Sequence, residues 1–166
     1  MKKVGILMGS ASDMPVAVKA IKVLEELGVP YEAHILSAHK TPDEARAFAQ
    51  DAENGGFGVL IGMAGMAAHL AGALAATSPL PVIGVPVKSG PMGGMDALLA
   101  TVMMPPGMPV ATVGVDSALN AGILAAQILA VEDKELAQRI VSYRKKKADK
   151  LLEDDRNVEQ IIDANR

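Results

Sequence analysis

The chain has 166 residues, 16 of them basic and 19 acidic, with no cysteine and a formal charge of -3 at pH 7. That length fits one domain with a real core and excludes a multidomain assembly, while the absence of cysteine excludes disulfides, thiolate metal sites and a thiol nucleophile. Mild acidity gives no broad attraction for nucleic acid or an anionic membrane, and four rings, Tyr31, Phe48, Phe57 and Tyr143, make no base-stacking platform. A cytoplasmic protein is expected. The charges are uneven, since only Lys88, Asp96 and Asp116 are charged in the 77 residues from Asn54 to Ala130.

Short apolar runs alternate with helical stretches along the chain, as in a parallel sheet covered on both faces. Residues 3–8 read as the first strand. Met1-Lys2-Lys3 opens like a signal peptide, but this apolar run is too short for one. A helix follows, with Val16, Ala20, Val23, Leu24 and Leu27 on one face, Lys19, Lys22, Glu25 and Glu26 opposite, and Gly28 as the stop. Residues 31–36 form the second strand; Thr41-Pro42-Asp43-Glu44 then opens a helix with a hydroxyl cap, a first-turn proline and acids at the positive dipole end.

The third strand is expected at 58–62, with Gly62 and Gly65 in the turn after it, and the third helix at 67–76. Residues 57–76 are long enough to span a bilayer, but their Gly/Ala-rich middle carries little transfer energy, and a buried strand-turn-helix accounts for the same letters. Strands at 81–86 and 109–113 and helices at 95–103 and 117–130 complete the alternation. A long charged helix is expected at about 134–155, with Leu136, Ile140, Tyr143, Leu151 and Leu152 packing on a neighbouring subunit or the outside of the sheet, and a short tail at 156–166. Its Arg144-Lys145-Lys146-Lys147 run reads as a solvated face rather than an RNA site, because the acids from Asp149 to Asp155 follow at once. The expected architecture is a single catalytic domain over 1–166: a three-layer α/β/α sandwich on a flavodoxin-like five-stranded parallel sheet of order 2-1-3-4-5, with an extra C-terminal helix.

In such sheets ligands bind beyond the carboxyl ends of the strands, where strand order reverses, here between the first and third strands. Three loops should meet there: Gly9-Ser10-Ala11-Ser12-Asp13, Ser37-Ala38-His39-Lys40-Thr41, and Met63-Ala64-Gly65-Met66-Ala67-Ala68-His69. Small residues let backbone N–H groups approach an anion, and the first loop runs into a helix N-terminus whose dipole favours phosphate. Ser12 and Asp13 are read equally well as simple helix caps.

His34 shares a strand face with Glu32 and is expected to be exposed. His39 lies in a crevice loop and is a candidate acid/base or ligand, because imidazole ordinarily changes charge between pH 5 and 8. His69 fits either a satisfied core histidine or a pocket residue. A metal site of His39, His69 and Asp13 would need a convergence that spacing does not establish, and no short metal-ligand motif backs it. The loops lack flavin-stacking rings, a phospho-receiver aspartate, the three spaced glycines of a dinucleotide site and a serine nucleophile elbow. A small phosphate-bearing substrate and a histidine acid/base remain.

The ordered strings Met8-Gly9-Ser10-Ala11-Ser12-Asp13, Ser37-Ala38-His39-Lys40-Thr41-Pro42, Ala67-Ala68-His69-Leu70 and Met104-Pro105-Pro106-Gly107 are recognisable. With Asn120-Ala121-Gly122 and Ala125-Ala126-Gln127-Ile128-Leu129, they resemble the phosphoribosylaminoimidazole carboxylase catalytic-subunit family, especially its N5-carboxyaminoimidazole ribonucleotide mutase branch, over residues 4–155. The resemblance implies a step of purine biosynthesis that moves a carboxylate from the exocyclic nitrogen to C4 of an aminoimidazole ribonucleotide, with no cofactor or metal. It implies that Ser10, Ser12 and Asp13 bind the ribonucleotide, with Lys40 at its phosphate and Ser37 and Ala38 in the same substrate loop. It assigns acid/base work to His39, joined by His69, and a tight, poorly hydrated carboxylate pocket to Gly65, Ala67, Ala68 and Leu70.

A homo-octamer whose sites borrow residues from neighbours is also implied, as is a functional link to an ATP-dependent carboxyaminoimidazole ribonucleotide synthase. Two residues depart from the mutase pattern. Lys40 stands where the mutase branch has Arg and matches the branch that carboxylates aminoimidazole ribonucleotide directly with carbon dioxide, and Met66 replaces the usual second Gly. Ala67-Ala68-His69-Leu70 shapes the carboxylate site and keeps the mutase reading ahead of direct carboxylation. A noncatalytic nucleotide-binding module is the alternative from another class. On the family reading the charge-free stretch divides between the pocket, central strands and helix surfaces buried between subunits, so an exposed monomer is expected to aggregate.

Overall fold

The computed structural model describes all of residues 1–166. In chain order it contains β1 (Lys3–Met8), α1 (Met14–Glu26), β2 (Tyr31–Ile35), α2 (Pro42–Asp51), β3 (Phe57–Gly65), α3 (Leu70–Ala75), β4 (Val82–Val87), α4 (Met95–Val102), β5 (Ala111–Thr112), α5 (Ala118–Leu129), α6 (Lys134–Arg156) and α7 (Val158–Ala164). The strands form one parallel sheet of order β2-β1-β3-β4-β5, a flavodoxin-like α/β arrangement that reverses direction between β1 and β3.

Strand alternation sorts the core into two layers. Val4, Ile6 and Met8 of β1 and Val59, Ile61 and Met63 of β3 face α1, α5 and the first half of α6; Leu7 and Leu60 face the other layer, with α2 and α3. Small residues set the layer spacing. Gly84 on β4 lies under α4, where a Cβ would come within 2.3 Å of Thr101 Cγ2, and Gly122 on α5 lies against α1, where it would meet Val23 Cγ1 at 2.6 Å. Leu136, Ile140 and Tyr143 of α6 join the core, whereas Leu151 and Leu152 are exposed. The tail beyond α6 carries the short helix α7.

The sequence-derived boundaries shift most at β3. Its strand continues through Gly62 to Gly65 because Gly62, Met63, Ala64 and Gly65 pair with Gly84, Val85, Pro86 and Val87 of β4. The turn therefore begins after Gly65, and Met66, with φ of 53°, makes it in the left-handed region that Gly adopts more readily. Consequently α3 starts at Leu70 rather than at residue 67. The hydroxyl cap expected at Thr41 is not made: Thr41 Oγ1 accepts from Ser37 N–H at 2.8 Å and bonds the Ser37 carbonyl at 3.2 Å, closing its own loop. No helix is long and apolar enough to cross a membrane.

Candidate active site

The loops after β1, β2 and β3 converge at the reversal point around a cavity of about 420 Å³. Its walls include Ser10, Ser12, Asp13, Ser37, Ala38, His39, Lys40, Gly65, Ala67, His69 and Leu70. Of the catalytic and substrate-binding residues that the family resemblance implies, only Ala68 does not line it. Ala68 is the buried residue of the third loop itself. His34 lies elsewhere; it is half-buried rather than exposed, because β2 is an edge strand whose face α2 covers, and its ring packs against Phe48 with centroids 4.9 Å apart.

Each loop is organised by short-range hydrogen bonds. Ser10 caps the 3-10 turn Ala11–Asp13 reciprocally, since its N–H donates to Asp13 Oδ2 at 3.1 Å and its Oγ accepts from Ser12 N–H at 3.3 Å. In the second loop Ser37 Oγ accepts from the N–H groups of His39 (3.3 Å) and Lys40 (3.2 Å), so this hydroxyl sets the backbone that presents the imidazole. The third loop tightens through Ala68 N–H to Met66 O and His69 N–H to Ala67 O, both 2.9 Å, which places His69 at the N-cap of α3.

These two loops bring the imidazoles together. His39 Nε2 and His69 Nδ1 are 2.8 Å apart, with the rings edge-on at 83°. One nitrogen must donate and the other accept, so the contact holds a single proton. The two rings together accept one further proton at their outer nitrogens without breaking that bond; a second would force two N–H groups to face each other. Both rings are exposed, as are Lys40, Met66 and Ala67. The pocket expected to be tight and dry has small-residue walls but an open mouth, because nothing in the single chain covers the carboxyl edge of β1 to β3.

Asp13 is only 6% exposed. Its burial pushes the carboxyl above the usual carboxylate range, against the opposing pull of hydrogen bonds from Ser10 N–H, the Ser12 hydroxyl and Gly9 N–H. A raised value means that the folded protein binds this proton more readily than the unfolded chain, so stability falls as pH rises through the folded-state value. Asp13→Asn is expected to raise the melting temperature at pH 7, with its advantage over the parent disappearing once acid protonates Asp13 in both states. Melting curves from pH 7 down to about 3, below the ordinary carboxylate value of the unfolded chain, check this sign.

Sequence reasoning passed over Ser89, which reaches the pocket from the loop after β4. The signal was present: the residue follows a strand end beside β3, as Ser10 and Ser37 follow theirs. No group of three or more metal-binding side chains converges here or elsewhere.

Comparison with known proteins bears directly on this site. The AIR carboxylase family model matches residues 3–150, a span that includes all three loops. The chain belongs to the AIR carboxylase family. Similar members include the N5-carboxyaminoimidazole ribonucleotide mutase of Thermotoga maritima, 48% identical over 97% of this chain and 94% of that protein. The Escherichia coli K12 protein of the same name is 48% identical over 91% and 90%. A solved structure described as Treponema denticola PurE superposes with a TM-score of 0.82 at 34% identity, covering 93% of this chain and 96% of that one. In this AIR carboxylase family chain the matched span ends within α6, leaving the last turns of that helix and α7 outside it.

Proposed function

We propose that this chain is an N5-carboxyaminoimidazole ribonucleotide mutase of purine biosynthesis, producing 4-carboxy-5-aminoimidazole ribonucleotide without a cofactor. The observation that carries the mechanism is the His39–His69 contact in a crevice of small residues. The carbamate nitrogen of the substrate needs a proton as its C–N bond breaks and carbon dioxide leaves. Ring carbon C4, made nucleophilic by the free amine, then attacks the gas and must lose its own proton. One proton is delivered and one recovered. The histidine pair has that capacity, with His39 as the carrier and His69 as its hydrogen-bonded partner.

In this reading Ser10 and Ser12 present hydroxyls, and the start of α1 its dipole, to the ribonucleotide. Lys40 supplies charge at the phosphate, and Asp13, an acceptor when ionised, takes hydroxyl or amino hydrogens. Ser37 and Ala38 shape the loop over the substrate, while Gly65, Ala67 and Leu70, with Ala68 buried in the same loop, leave room for the carboxylate and the released gas. The open mouth and the exposed apolar side chains Met95, Leu99, Val102 and Met103 support closure by further copies of the chain, as in a homo-octamer acting in the cytoplasm after an ATP-dependent synthase.

The test mixes purified protein with N5-carboxyaminoimidazole ribonucleotide and follows the ultraviolet spectrum. Formation of the C-carboxylated product is expected, and its absence would leave only a nucleotide-binding module. Lys40 favours a second reading, direct carboxylation. Aminoimidazole ribonucleotide with bicarbonate as the sole substrates, turned over faster than the carbamate, would establish it.

A further inference from the structure

We propose that the Ser89 hydroxyl is a substrate contact, donating a hydrogen bond to the migrating carboxylate. The inference rests on the mutase reading for the identity of the ligand, but its observations are separate. Ser89 Oγ is shut off from solvent and has no hydrogen-bond partner, although the residue lines the cavity. A buried hydroxyl without a partner is destabilising, and native proteins keep few of them outside functional sites.

The neighbouring end of β3 is shaped around this hydroxyl. A Cβ at Gly65 would lie 2.0 Å from Ser89 Oγ and 3.0 Å from Ser89 Cβ and from Val87 O. Gly65 has no positive φ that would require glycine, so the missing side chain makes room for its neighbours, above all the serine. An alanine at 89 would fill the same gap without leaving a polar atom unpaired. The hydroxyl therefore has a use only when something polar enters the pocket.

Topology says which part of a ligand it meets. Loops leave the sheet in the order β2, β1, β3, β4, so His39 enters from one end of the crevice and Ser89 from the other, with Gly65 between them. Around Ala64, Gly65, Ala67 and Leu70 the side chains are apolar or absent, and Ser89 is the one hydroxyl on that wall. The anion to be held there is the carboxylate, and the Ser89 hydroxyl hydrogen, free to turn about the Cβ–Oγ bond and bound to nothing in the protein, is the donor available to it.

The experiment compares the intact protein with Ser89→Ala, measuring affinity for 4-carboxy-5-aminoimidazole ribonucleotide and for aminoimidazole ribonucleotide, which lacks the carboxylate. Loss of a hydrogen bond to a charged group predicts about 10- to 100-fold weaker binding of the carboxylated ligand. Affinity for the other ligand stays unchanged, and the melting temperature of the free protein is equal or higher. Equal loss for both ligands, or no loss for either, overturns the proposal. Should Ser89→Ala unfold, Ser89→Cys keeps the volume with a weaker donor, and the same selective loss is required of it. Failure of the parent protein to turn over the carbamate would condemn the mutase reading alone, since the two binding measurements need no catalysis.

Discussion

His39→Asn is expected to lower turnover of N5-carboxyaminoimidazole ribonucleotide by about 10²- to 10⁴-fold, the usual contribution of a positioned acid/base, while ribonucleotide affinity stays within a few-fold. Asparagine is the informative replacement because it keeps a polar side chain in the loop yet does not reach the place of His39 Nε2, 2.8 Å from His69 Nδ1, so it removes the proton carrier and leaves the backbone alone. Ser37 Oγ holds the backbone N–H groups of residues 39 and 40, and that support does not involve the imidazole. What asparagine lacks is a ring nitrogen that can take up a proton and hand it on. Steady-state kinetics paired with calorimetric titration of the product separates the effects, and normal turnover by a variant that binds would sink the assignment of His39.

The sheet and most of the crevice were legible because both follow from periodicity. Val4, Ile6 and Met8 against Leu7, or Val59, Ile61 and Met63 against Leu60, alternate as a two-faced buried strand must, and the switch-point rule then names the three loops. What single-chain reasoning missed lies where pairing partners decide the outcome. Gly62 and Gly65 carry turn propensity, yet their backbone groups are taken up by β4, so the strand runs on and the turn falls to Met66. Thr41 has a capping side chain, but Ser37 competes for it. The approach of His39 to His69 across 30 positions depends on where α3 begins, which no local pattern specifies. Ser89 follows β4, one strand beyond the reversal between β1 and β3, and the switch-point rule names no loop there.

Gly62→Ala is the substitution through which packing reaches the chemistry. Gly62 sits in the middle of β3 with α3 directly against it: a Cβ there would lie 2.9 Å from Ala71 Cα and 3.1 Å from Ala71 N and Cβ. Two of those atoms are backbone, so no rotamer change relieves the overlap and α3 itself must move. The strand cannot yield instead, since it pairs on both sides, with Leu7 of β1 and Gly84 of β4 opposite residue 62. Overpacking of this kind destabilises by about 1–3 kcal/mol. The functional effect is larger than that figure conveys, because His69 is the N-cap of the displaced helix and its bond to His39 tolerates little movement. Misplacement of a reacting group by about 1 Å lowers rates on the order of 10²-fold. The expected result is a folded variant with a lowered melting temperature and a kcat reduced by about that factor. Because Ser10, Ser12 and Asp13 lead into α1, which packs in the opposite layer of the sheet from α3, its affinity for aminoimidazole ribonucleotide should be nearly unchanged. A Gly62→Ala protein of parental kcat would show that α3 can shift without disturbing the histidine pair, or that the pair does not carry the proton.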